Sequence, residues 1–414
     1  MTPNLELTPK THLLPNGNSL YLFPSDALEL VKLDITVEGG SCYQTKMCLA
    51  QAANQLFGEA TLEHEAAWVA EFMDFRGITL ERMADICTGN VSFYFLRKYA
   101  EELLPLVREM FEQPCVTQQL FEAHKAKRRL QLSQNFQKTS YVARNIFYEQ
   151  LYGPEHVLGT YARPEDVEAF TQDDVSAFIH EHYRLGEAHI VLSGSIDEEL
   201  LSLCDKYLVG KKTQNQESRF VCPQVRDFAP HKVHQPMPNA VQSSLRIGRV
   251  LPYTFDDMEY ARFMVLNTVL GGYFGSRLMG NLREDKGYTY GIYSQTQIYR
   301  GNIVFYIAAD VAGEATDKAV EEVLKEMERL RKEPVETEEL QRVVHYMEGD
   351  FIRSIDGVFE RSERYRQMVA TDVTEKFTEN YHEALQTITP EQLTDIAQRI
   401  LSPETLTIVT AGMK

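Results

Sequence analysis

Along this chain the spacing of apolar residues changes from helical to strand-like in a fixed order, and that order of elements occurs twice. Residues 170–194 show a helical spacing of apolar positions, then a turn, then an apolar run typical of a strand, then a glycine. Residues 388–412 repeat this plan, and Thr171 and Thr389 stand where each helix needs an N-cap. The repetition predicts that the two halves of the chain share one fold.

Two further segments of the first half have counterparts in the second. Residues 91–114 predict a strand followed by a long amphipathic helix that ends at a proline, and residues 303–334 repeat this succession. The helix predicted over residues 48–60 corresponds to residues 261–272. Between the copies, residues 210–239 are polar, contain several prolines and have no period, which is the composition of a linker.

The predicted fold class is α+β, with two homologous domains at residues 1–214 and 215–414. Each domain mixes strands of alternating pattern with long helices. Consecutive strands are often too close in sequence for the helical crossover that parallel pairing requires. We therefore expect two mainly antiparallel sheets, each packed with helices.

Composition narrows the partners that the chain is expected to bind. It carries 42 Lys and Arg against 60 Asp and Glu, a net charge of −18. This acidic balance argues against nucleic acid and anionic membranes, and leaves basic or neutral peptides, proteins and small molecules. No stretch approaches the roughly 20 apolar residues of a membrane span, and the first residues show no secretory signal pattern. The six cysteines are scattered without a CxxC pair, so we expect a cytoplasmic protein with reduced thiols.

The helix predicted over residues 48–60 carries three neutral amides at an unusual spacing. Gln51, Asn54 and Gln55 form a stripe of their own, separate from the apolar face. Metal-binding helices place two imidazoles and a carboxylate at such positions, because residues i and i+4 lie on one helix face. An amide is a poor zinc ligand, and Asn54 cannot accept a proton from water. Neither His-x-x-Glu-His nor His-Glu-x-x-His occurs anywhere in the chain.

Several longer phrases resemble a known family. They are GGS (39–41), HVLGTYARPEDV (156–167), HYRLGEAHIVLSGSID (182–197) and NTVLGGYFGSRLMGNLREDKGYTYGIYS (267–294). With the order of elements and the duplication, they resemble the pitrilysin/insulinase family of zinc metallopeptidases over essentially the whole chain. The resemblance is closest to the small two-domain members, which include mitochondrial processing peptidase subunits and bacterial relatives. It implies their processing-peptidase-like metallohydrolase fold.

Active members of that family carry His-x-x-Glu-His on the first helix and a zinc-binding glutamate about 76 residues later. Aligned through the Gly-Gly-Ser phrase and the Phe-Gly pair, the two histidines fall on Gln51 and Gln55 and the first glutamate on Asn54. The last ligand falls on Gln131. The resemblance therefore implies a degenerate site, with no catalytic residue and no metal in this chain alone. The alternative is that these amides are ordinary helix-surface residues and that the alignment is off by one turn.

The second half keeps two residues that the same resemblance marks as functional. In the family, an arginine and a tyrosine at this spacing in the C-terminal domain bind the substrate carbonyl and stabilise the oxyanion beside the zinc. Arg283 and Tyr290, in LREDKGYTYG, correspond to them. Both side chains donate hydrogen bonds, and a donor aimed at a developing oxyanion is worth about 3 kcal/mol. The residues alone also allow a charged turn followed by a strand with outward-facing tyrosines.

A chain without zinc ligands but with Arg283 and Tyr290 is what one expects of the non-catalytic subunit of a two-chain enzyme. We expect a non-catalytic subunit of a heterodimeric zinc peptidase, which binds extended peptide and leaves zinc to a homologous partner with an intact His-x-x-Glu-His motif. A homodimer is allowed when that partner is absent; nucleic acid and membranes are not expected partners. Peptides in the family add a strand to a sheet edge. Residues 87–95, and the edge that ends at Gly39 and Gly40, are the candidates for that edge.

Three other interpretations stay open. The chain has a structural or assembly role in a larger complex, or it is a homodimeric peptide-binding protein without peptidase activity. The third is a peptidase whose metal ligands have moved, for example to His180 and His182. The presence of Arg283 and Tyr290 favours the half-enzyme over a purely structural role.

Overall fold

The computed structural model describes residues 7–212, 220–223 and 230–413. The contacts divide the chain into two compact units, and neither unit is a continuous stretch of sequence. Unit 1 comprises Met1–Leu132, Ala162–Phe220 and Ser354–Ala370, whereas unit 2 comprises Ser133–Tyr161, Val221–Arg353 and Thr371–Lys414. Each unit therefore includes one segment from the other half of the sequence. The predicted domain boundary at residue 215 lies outside the described residues.

The strands are numbered in chain order, β1 to β8 in unit 1 and β9 to β13 in unit 2. The strands of unit 1 are β1 (Lys10–Leu13), β2 (Ser19–Pro24), β3 (Leu30–Val37), β4 (Ala60–Thr61), β5 (Thr79–Ala84), β6 (Gly89–Leu96), β7 (Pro114–Cys115) and β8 (His189–Gly194). Those of unit 2 are β9 (Lys232–Pro236), β10 (Gln242–Val250), β11 (Thr289–Tyr299), β12 (Asn302–Ala312) and β13 (Thr407–Gly412).

The α-helices are numbered in the same way. They are α1 (Leu49–Leu56), α2 (Ala66–Arg76), α3 (Ala100–Glu112), α4 (Gln118–Asn135), α5 (Thr139–Tyr152), α6 (Gln172–His182), α7 (Glu198–Tyr207), α8 (Met258–Asn267), α9 (Thr316–Lys332), α10 (Thr337–Arg353), α11 (Val358–Thr371), α12 (Glu375–Thr387) and α13 (Pro390–Ile400). Helix α5 belongs to unit 2 and helix α11 to unit 1. No helix in the described ranges has the length and apolarity of a membrane span.

The two units contain sheets of the same topology. The strand order in unit 1 is β1-β2-β8-β3-β6-β5, and in unit 2 it is β11-β12-β10-β13-β9. In reverse order, the second sheet is β9-β13-β10-β12-β11, and these strands correspond one by one to β2-β8-β3-β6-β5 of the first sheet. Each sheet has one parallel pair, β2 with β8 and β9 with β13, and its other pairs are antiparallel. The predicted α+β class, with two homologous and mainly antiparallel halves, is confirmed.

The two predicted helix caps are also present. Thr171 accepts a hydrogen bond from the Asp174 backbone N–H at the start of α6, and the Asp174 carboxylate accepts one from the Thr171 N–H. Thr389 and Gln392 form the same reciprocal pair before α13. Such capping boxes satisfy backbone N–H groups that the helix itself leaves without a partner. The opening helix is shorter than predicted and covers Leu49–Leu56.

The central strand β3 has two faces of opposite character. Val31, Leu33 and Ile35 are fully buried in the apolar core of unit 1. Lys32 and Asp34 point to the other face and are buried as well, at 3% and 0% exposure. Because successive side chains of a strand alternate between faces, a polar layer lies on the side of the sheet opposite the core. Helix α11 packs on that layer through hydrogen bonds and ring contacts.

Candidate functional site

The amides of α1 lie beside strands β5 and β6. Asn54 is fully buried, and its Nδ2 donates to the Asn90 carbonyl (3.2 Å) and to the Tyr183 hydroxyl (3.0 Å). Gln55 is exposed and donates to the Arg82 carbonyl of β5 (3.2 Å). These two amides therefore serve as donors to groups of the sheet and of α6's C-terminal end.

The other two predicted positions differ from each other. Gln51 is half-buried, and its Oε1 is buried without a hydrogen-bond partner. Gln131 lies exposed on α4. None of the four positions offers an imidazole or a carboxylate, so the residues present do not fit zinc. Across the part of the chain that the structure describes, no three His, Cys, Asp or Glu side chains are grouped to hold a metal ion.

A buried tyrosine fills the space next to Asn54. The Tyr183 ring stacks on Phe57, with ring centroids 4.7 Å apart. A Cβ added to Gly89 would lie 2.5 Å from the Tyr183 hydroxyl oxygen, so glycine is required at the start of β6. Burial raises the pKa of Tyr183 above its ordinary value, and the hydroxyl stays neutral. Asn54, Phe57 and Tyr183 thus form a packed cluster of uncharged side chains.

The alternative metal ligands His180 and His182 are not placed as a pair. His180 is exposed on α6, whereas His182 Nδ1 hydrogen-bonds with the Glu38 carbonyl oxygen (2.8 Å). The His182 ring also packs against Phe178, with centroids 4.3 Å apart. Residues two apart on a helix point to different sides. The interpretation with relocated metal ligands therefore gains no support from these positions.

A polar network runs from the α1 site across β6 and β3. Asn54 bonds the Asn90 carbonyl, and the Asn90 side chain accepts from Thr36 Oγ1 (2.7 Å). Asn90 Nδ2 donates to Ser92 Oγ (2.8 Å), and Ser92 Oγ donates to Asp34 Oδ1 (2.5 Å). All of these side chains are buried, and those of Thr36, Asn90, Ser92 and Asp34 are neighbours on β3 and β6. The network therefore ends at a buried carboxylate, which needs a cation.

Lys32 supplies that cation and connects the network to α11. Its Nζ lies 3.0 Å from the Asp34 carboxylate and 3.0 Å from the Glu363 carboxylate. Glu363 also accepts two hydrogen bonds from Arg366, at 3.0 and 2.5 Å. Burial alone would lower the pKa of Lys32, but the charges of Asp34 and Glu363 outweigh burial and raise it. The ammonium is therefore charged at neutral pH and holds two carboxylates from different elements.

Acid is expected to weaken this network as the pH falls from about 4.5 to about 2. Burial alone would raise the pKa of Glu363, but Arg366 and then Lys32 lower it from 4.5 to about 2. A carboxyl group whose pKa is lower in the folded state stabilises the fold above its unfolded pKa, and this contribution is lost as the pH falls through the folded pKa. We expect the urea midpoint of unit 1 to fall as the pH is lowered from about 4.5 to about 2. The midpoint of Glu363→Gln should fall less over the same pH range than that of the parent. The signal is the fluorescence of Trp68, the single tryptophan, which lies in unit 1.

The matched control for this pH experiment is Glu71→Gln, which changes an exposed carboxylate on α2. It should leave the pH dependence of the parent unchanged. A pH dependence of Glu363→Gln that equals the parent's would contradict the role given to this carboxylate.

A cavity of about 670 Å³ lies between the polar face of the sheet and helix α11. Lys32, Asn90 and Ser92 line it from β3 and β6. The rings of Tyr94 and Phe359, with centroids 6.5 Å apart, form an aromatic wall. This volume is in the range of small-ligand sites. The cavity also reaches β5, the last strand of the sheet.

Strand β5, not β6, is the open edge next to this cavity. Strand β6 pairs with β3 on one side and with β5 on the other, so the prediction that residues 87–95 offer a free edge is wrong. Gly39 and Gly40 do not end a free edge either, because the Gly40 N–H donates to the Cys87 carbonyl (3.1 Å). Strand β5 pairs only with β6 and lies at one end of its sheet in the described part of the chain.

Arg283 and Tyr290 are exposed in unit 2, where the chain departs from regular geometry. Arg283 lies in a π-helical turn, Met279–Asp285, and its guanidinium lies 4.8 Å from the centroid of the Phe274 ring. Tyr290 is 92% exposed at the start of β11, where the register with β12 shifts at a bulge. π-Turns and β-bulges often direct side chains at functional sites. Both donors are accessible to a ligand, and their role at an oxyanion stays a prediction.

Comparisons with known proteins find relatives among the M16 peptidases and their non-peptidase homologues. Residues 169–347 match the family model described as peptidase M16 inactive domain. The chain is similar to the non-peptidase homolog YmxG of Helicobacter pylori, with 24% identity over 292 residues, which are 69% of this chain and 63% of that protein. The crystal structure of the peptidase M16 inactive domain from Pseudomonas fluorescens has the same fold, with a TM-score of 0.85 and 20% identity over 98% of both chains. The chain is therefore similar to the M16 peptidases and their non-peptidase homologues, and residues 169–347 carry the match to the family model.

The M16 relationship confirms the resemblance to the pitrilysin/insulinase family and the fold that it implies. A further relative, the uncharacterized zinc protease YmxG of Bacillus subtilis, is 20% identical over 86% of each chain. The alignment with the Helicobacter relative spans less than two thirds of that protein's length.

Several residues of this site were not predicted from the sequence. The segment LVKLDITV did carry a usable signal, because Lys32 and Asp34 are opposite charges two residues apart in an apolar strand, and such residues share a face. Tyr183 and Glu363 gave no such signal. Their partners, Asn54 and Lys32, lie 129 and 331 residues away in sequence, and no local pattern relates them.

Proposed function

We propose that this chain is the non-catalytic subunit of a heterodimeric zinc-dependent peptidase. The proposal is carried by two observations. In unit 1, the buried neutral pair of Asn54 and Tyr183 stands in place of a zinc site. In unit 2, Arg283 and Tyr290 are two exposed hydrogen-bond donors. A chain of this kind contributes hydrogen-bond donors and a peptide-binding surface. A homologous partner with an intact His-x-x-Glu-His motif contributes the zinc and the general base. We further propose a cytoplasmic location, and a homodimer when that partner is absent.

Peptide binding in this proposal uses the edge of β5. An extended peptide that adds a strand there forms main-chain hydrogen bonds, which depend little on sequence. The exposure of β5 alternates along the strand, so one of its faces is available to side chains of the added strand. This mode favours extended or partly unfolded peptides over folded proteins.

The proposal is tested on the complex recovered from the cells that make the chain. The tagged chain is expected to bring down a homologous chain with His-x-x-Glu-His at one to one. In that complex, Arg283→Ala and Tyr290→Phe should each reduce peptide turnover about a hundredfold, the usual effect of removing an oxyanion donor, without weakening assembly.

Two exposed residues of unit 2 give matched controls, Arg353→Ala on α10 and Tyr293→Phe on β11. Both should leave turnover unchanged. Unaltered turnover in Arg283→Ala and Tyr290→Phe would remove the catalytic part of the proposal. Recovery of the chain only with copies of itself would favour a structural or peptide-binding protein of the same fold.

A further inference from the structure

Equivalent points of the two sheets carry opposite charges. Asp34 of β3 lies opposite Val191, three residues before the glycine that ends β8. Arg246 of β10 lies opposite Val409, three residues before the glycine that ends β13. Because the two sheets have the same strand order, these positions correspond. The polar face of the sheet therefore holds an acid here in unit 1 and an arginine in unit 2.

The acid of unit 1 is neutralised, whereas Arg246 has no carboxylate partner among the described residues. Lys32 lies 3.0 Å from Asp34. Arg246 is half-buried, and its Nε is buried without a hydrogen-bond partner. Its guanidinium lies 5.4 Å from the centroid of the Tyr306 ring, but contact with a ring face leaves the N–H donors unused. A half-buried cation of this kind is more stable with an anion bound to it.

Helix α5 packs on this face and brings a second arginine to it. At the start of the helix, Thr139 hydrogen-bonds with Ser244 of β10 (2.8 Å). Near its end, the Tyr148 hydroxyl accepts a hydrogen bond from the Tyr299 hydroxyl of β11 (3.1 Å). Arg144 lies between these two anchors, is exposed, and forms no ion pair within the described ranges.

Two tyrosine hydroxyls show that the arginines lie close together. Burial raises the pKa of Tyr148 to about 12 and also raises the pKa of Tyr306. The charges of Arg144 and Arg246 lower the pKa of both hydroxyls, so each guanidinium lies near each phenol. The Tyr306 hydroxyl accepts a hydrogen bond from Gln295, which leaves its own O–H as a donor. Two guanidiniums and a phenol O–H therefore surround one small region.

One acid of β12 is on the same face of the sheet but lies away from this region. Arg246 is opposite Ala308, whereas Asp310 is opposite Ser244 and accepts a hydrogen bond from the Ser244 hydroxyl. Tyr306 and Asp310 are four residues apart, which is about 13 Å along a strand. An anion on the Tyr306 side of Arg246 is therefore distant from the Asp310 carboxylate.

We infer that Arg144, Arg246 and Tyr306 form a binding site for an oxyanion, the phosphate or carboxylate group of a ligand, beside α5 in unit 2. Guanidiniums bind both groups through parallel N–H donors, and the phenol O–H adds a further donor. Phosphate has more acceptor oxygens and a second charge, so we expect it to bind more tightly than carboxylate. The site is separate from the edge of β5 and uses neither Arg283 nor Tyr290.

The test is isothermal titration calorimetry on the full chain. The probes are inorganic phosphate, acetate and chloride, titrated at constant ionic strength and at a pH of about 8, where phosphate is a dianion. Phosphate should bind at least about tenfold more tightly than acetate, and chloride should not bind measurably. Acetate that binds as tightly as phosphate would support the site and assign it to carboxylates. If neither phosphate nor acetate binds more tightly than chloride, the inference is overturned.

Variants assign the binding to the named side chains. Arg144→Met and Arg246→Met should each weaken phosphate binding about tenfold, because each removes charge-assisted hydrogen bonds. Tyr306→Phe removes one neutral donor and should weaken it about threefold. Arg353→Met changes an exposed arginine of α10 in the same unit and should bind phosphate like the parent. Phosphate binding that is undiminished in both Arg144→Met and Arg246→Met would overturn the inference.

Thermal unfolding followed by circular dichroism checks that the variants fold. Without phosphate, Arg144→Met should unfold at the temperature of the parent, and Arg246→Met at the same temperature or higher, since it removes a charge without a partner. Phosphate should raise the unfolding temperature of the parent and of Arg353→Met more than that of either variant of the site. The turnover test with Arg283→Ala does not involve these residues, so failure here and failure of the proposed function are distinguishable.

Discussion

Lys32→Met is expected to destabilise unit 1 by about 3–5 kcal/mol at neutral pH, the usual cost of removing one partner of a buried ion pair. Asp34 is fully buried, and Lys32 is the cation 3.0 Å from it. Methionine fills a similar volume, so the loss comes from the charge and not from a cavity. The change also removes the bond from Lys32 to Glu363, which joins the sheet to α11. The free energy of unfolding is measured in urea with the fluorescence of Trp68 as the signal for unit 1.

Two variants separate charge from packing in this experiment. The double change Lys32→Met with Asp34→Asn removes both charges and should recover most of the lost stability. Lys46→Met breaks a half-exposed ion pair with Asp174 (2.7 Å) in the same unit, and should cost less than about 1 kcal/mol. A cost of Lys32→Met no larger than that of Lys46→Met would show that the buried network does not depend on this cation.

The features that the sequence predicted well are those that local pattern determines. The caps at Thr171 and Thr389 depend on residues three positions apart, and both are present. The duplication is predictable because each copy has the same order of helix and strand patterns. The structure agrees, since the two sheets share one strand order. The amides at Gln51, Asn54 and Gln55 were recognised because one helix brings them together.

The features that the sequence did not predict are those that depend on pairing between distant segments. Strand order decides which strand is an edge, and the pattern of residues 87–95 is the same whether that strand is inside or at the end of the sheet. The assignment of α11 to unit 1 places Glu363 beside Lys32, although the two are 331 residues apart. A buried charge pair therefore looks, in sequence, like an exposed lysine and an exposed glutamate.

Asn54→Asp is expected to cost about 3–4 kcal/mol at a pH of about 8, although it only replaces an amide by an acid of the same shape. An ionised aspartate cannot donate, so the Asn90 carbonyl loses the bond that Asn54 Nδ2 gives it, and the Tyr183 hydroxyl has to change from acceptor to donor. The new charge is also removed from water, since this position is fully buried. Burial raises the pKa of such a carboxyl group, so stability falls as the pH rises from its unfolded pKa of about 4. The cost should therefore be smaller at a pH of about 5.

Gln55→Glu makes the same change of chemistry one residue further along α1, at an exposed position, and should cost less than about 0.5 kcal/mol. Asn54→Leu removes the two hydrogen bonds without adding charge, so its cost should not depend on pH in this range. If Asn54→Asp is tolerated as well as Gln55→Glu, α1 accepts a carboxylate freely and the packing with Tyr183 does not determine what the site can hold. If the expected cost is found, this helix is built around a neutral donor. Restoring the His-x-x-Glu-His residues alone then places a carboxylate against Tyr183 and the Asn90 carbonyl, and a zinc site needs a change at Tyr183 as well.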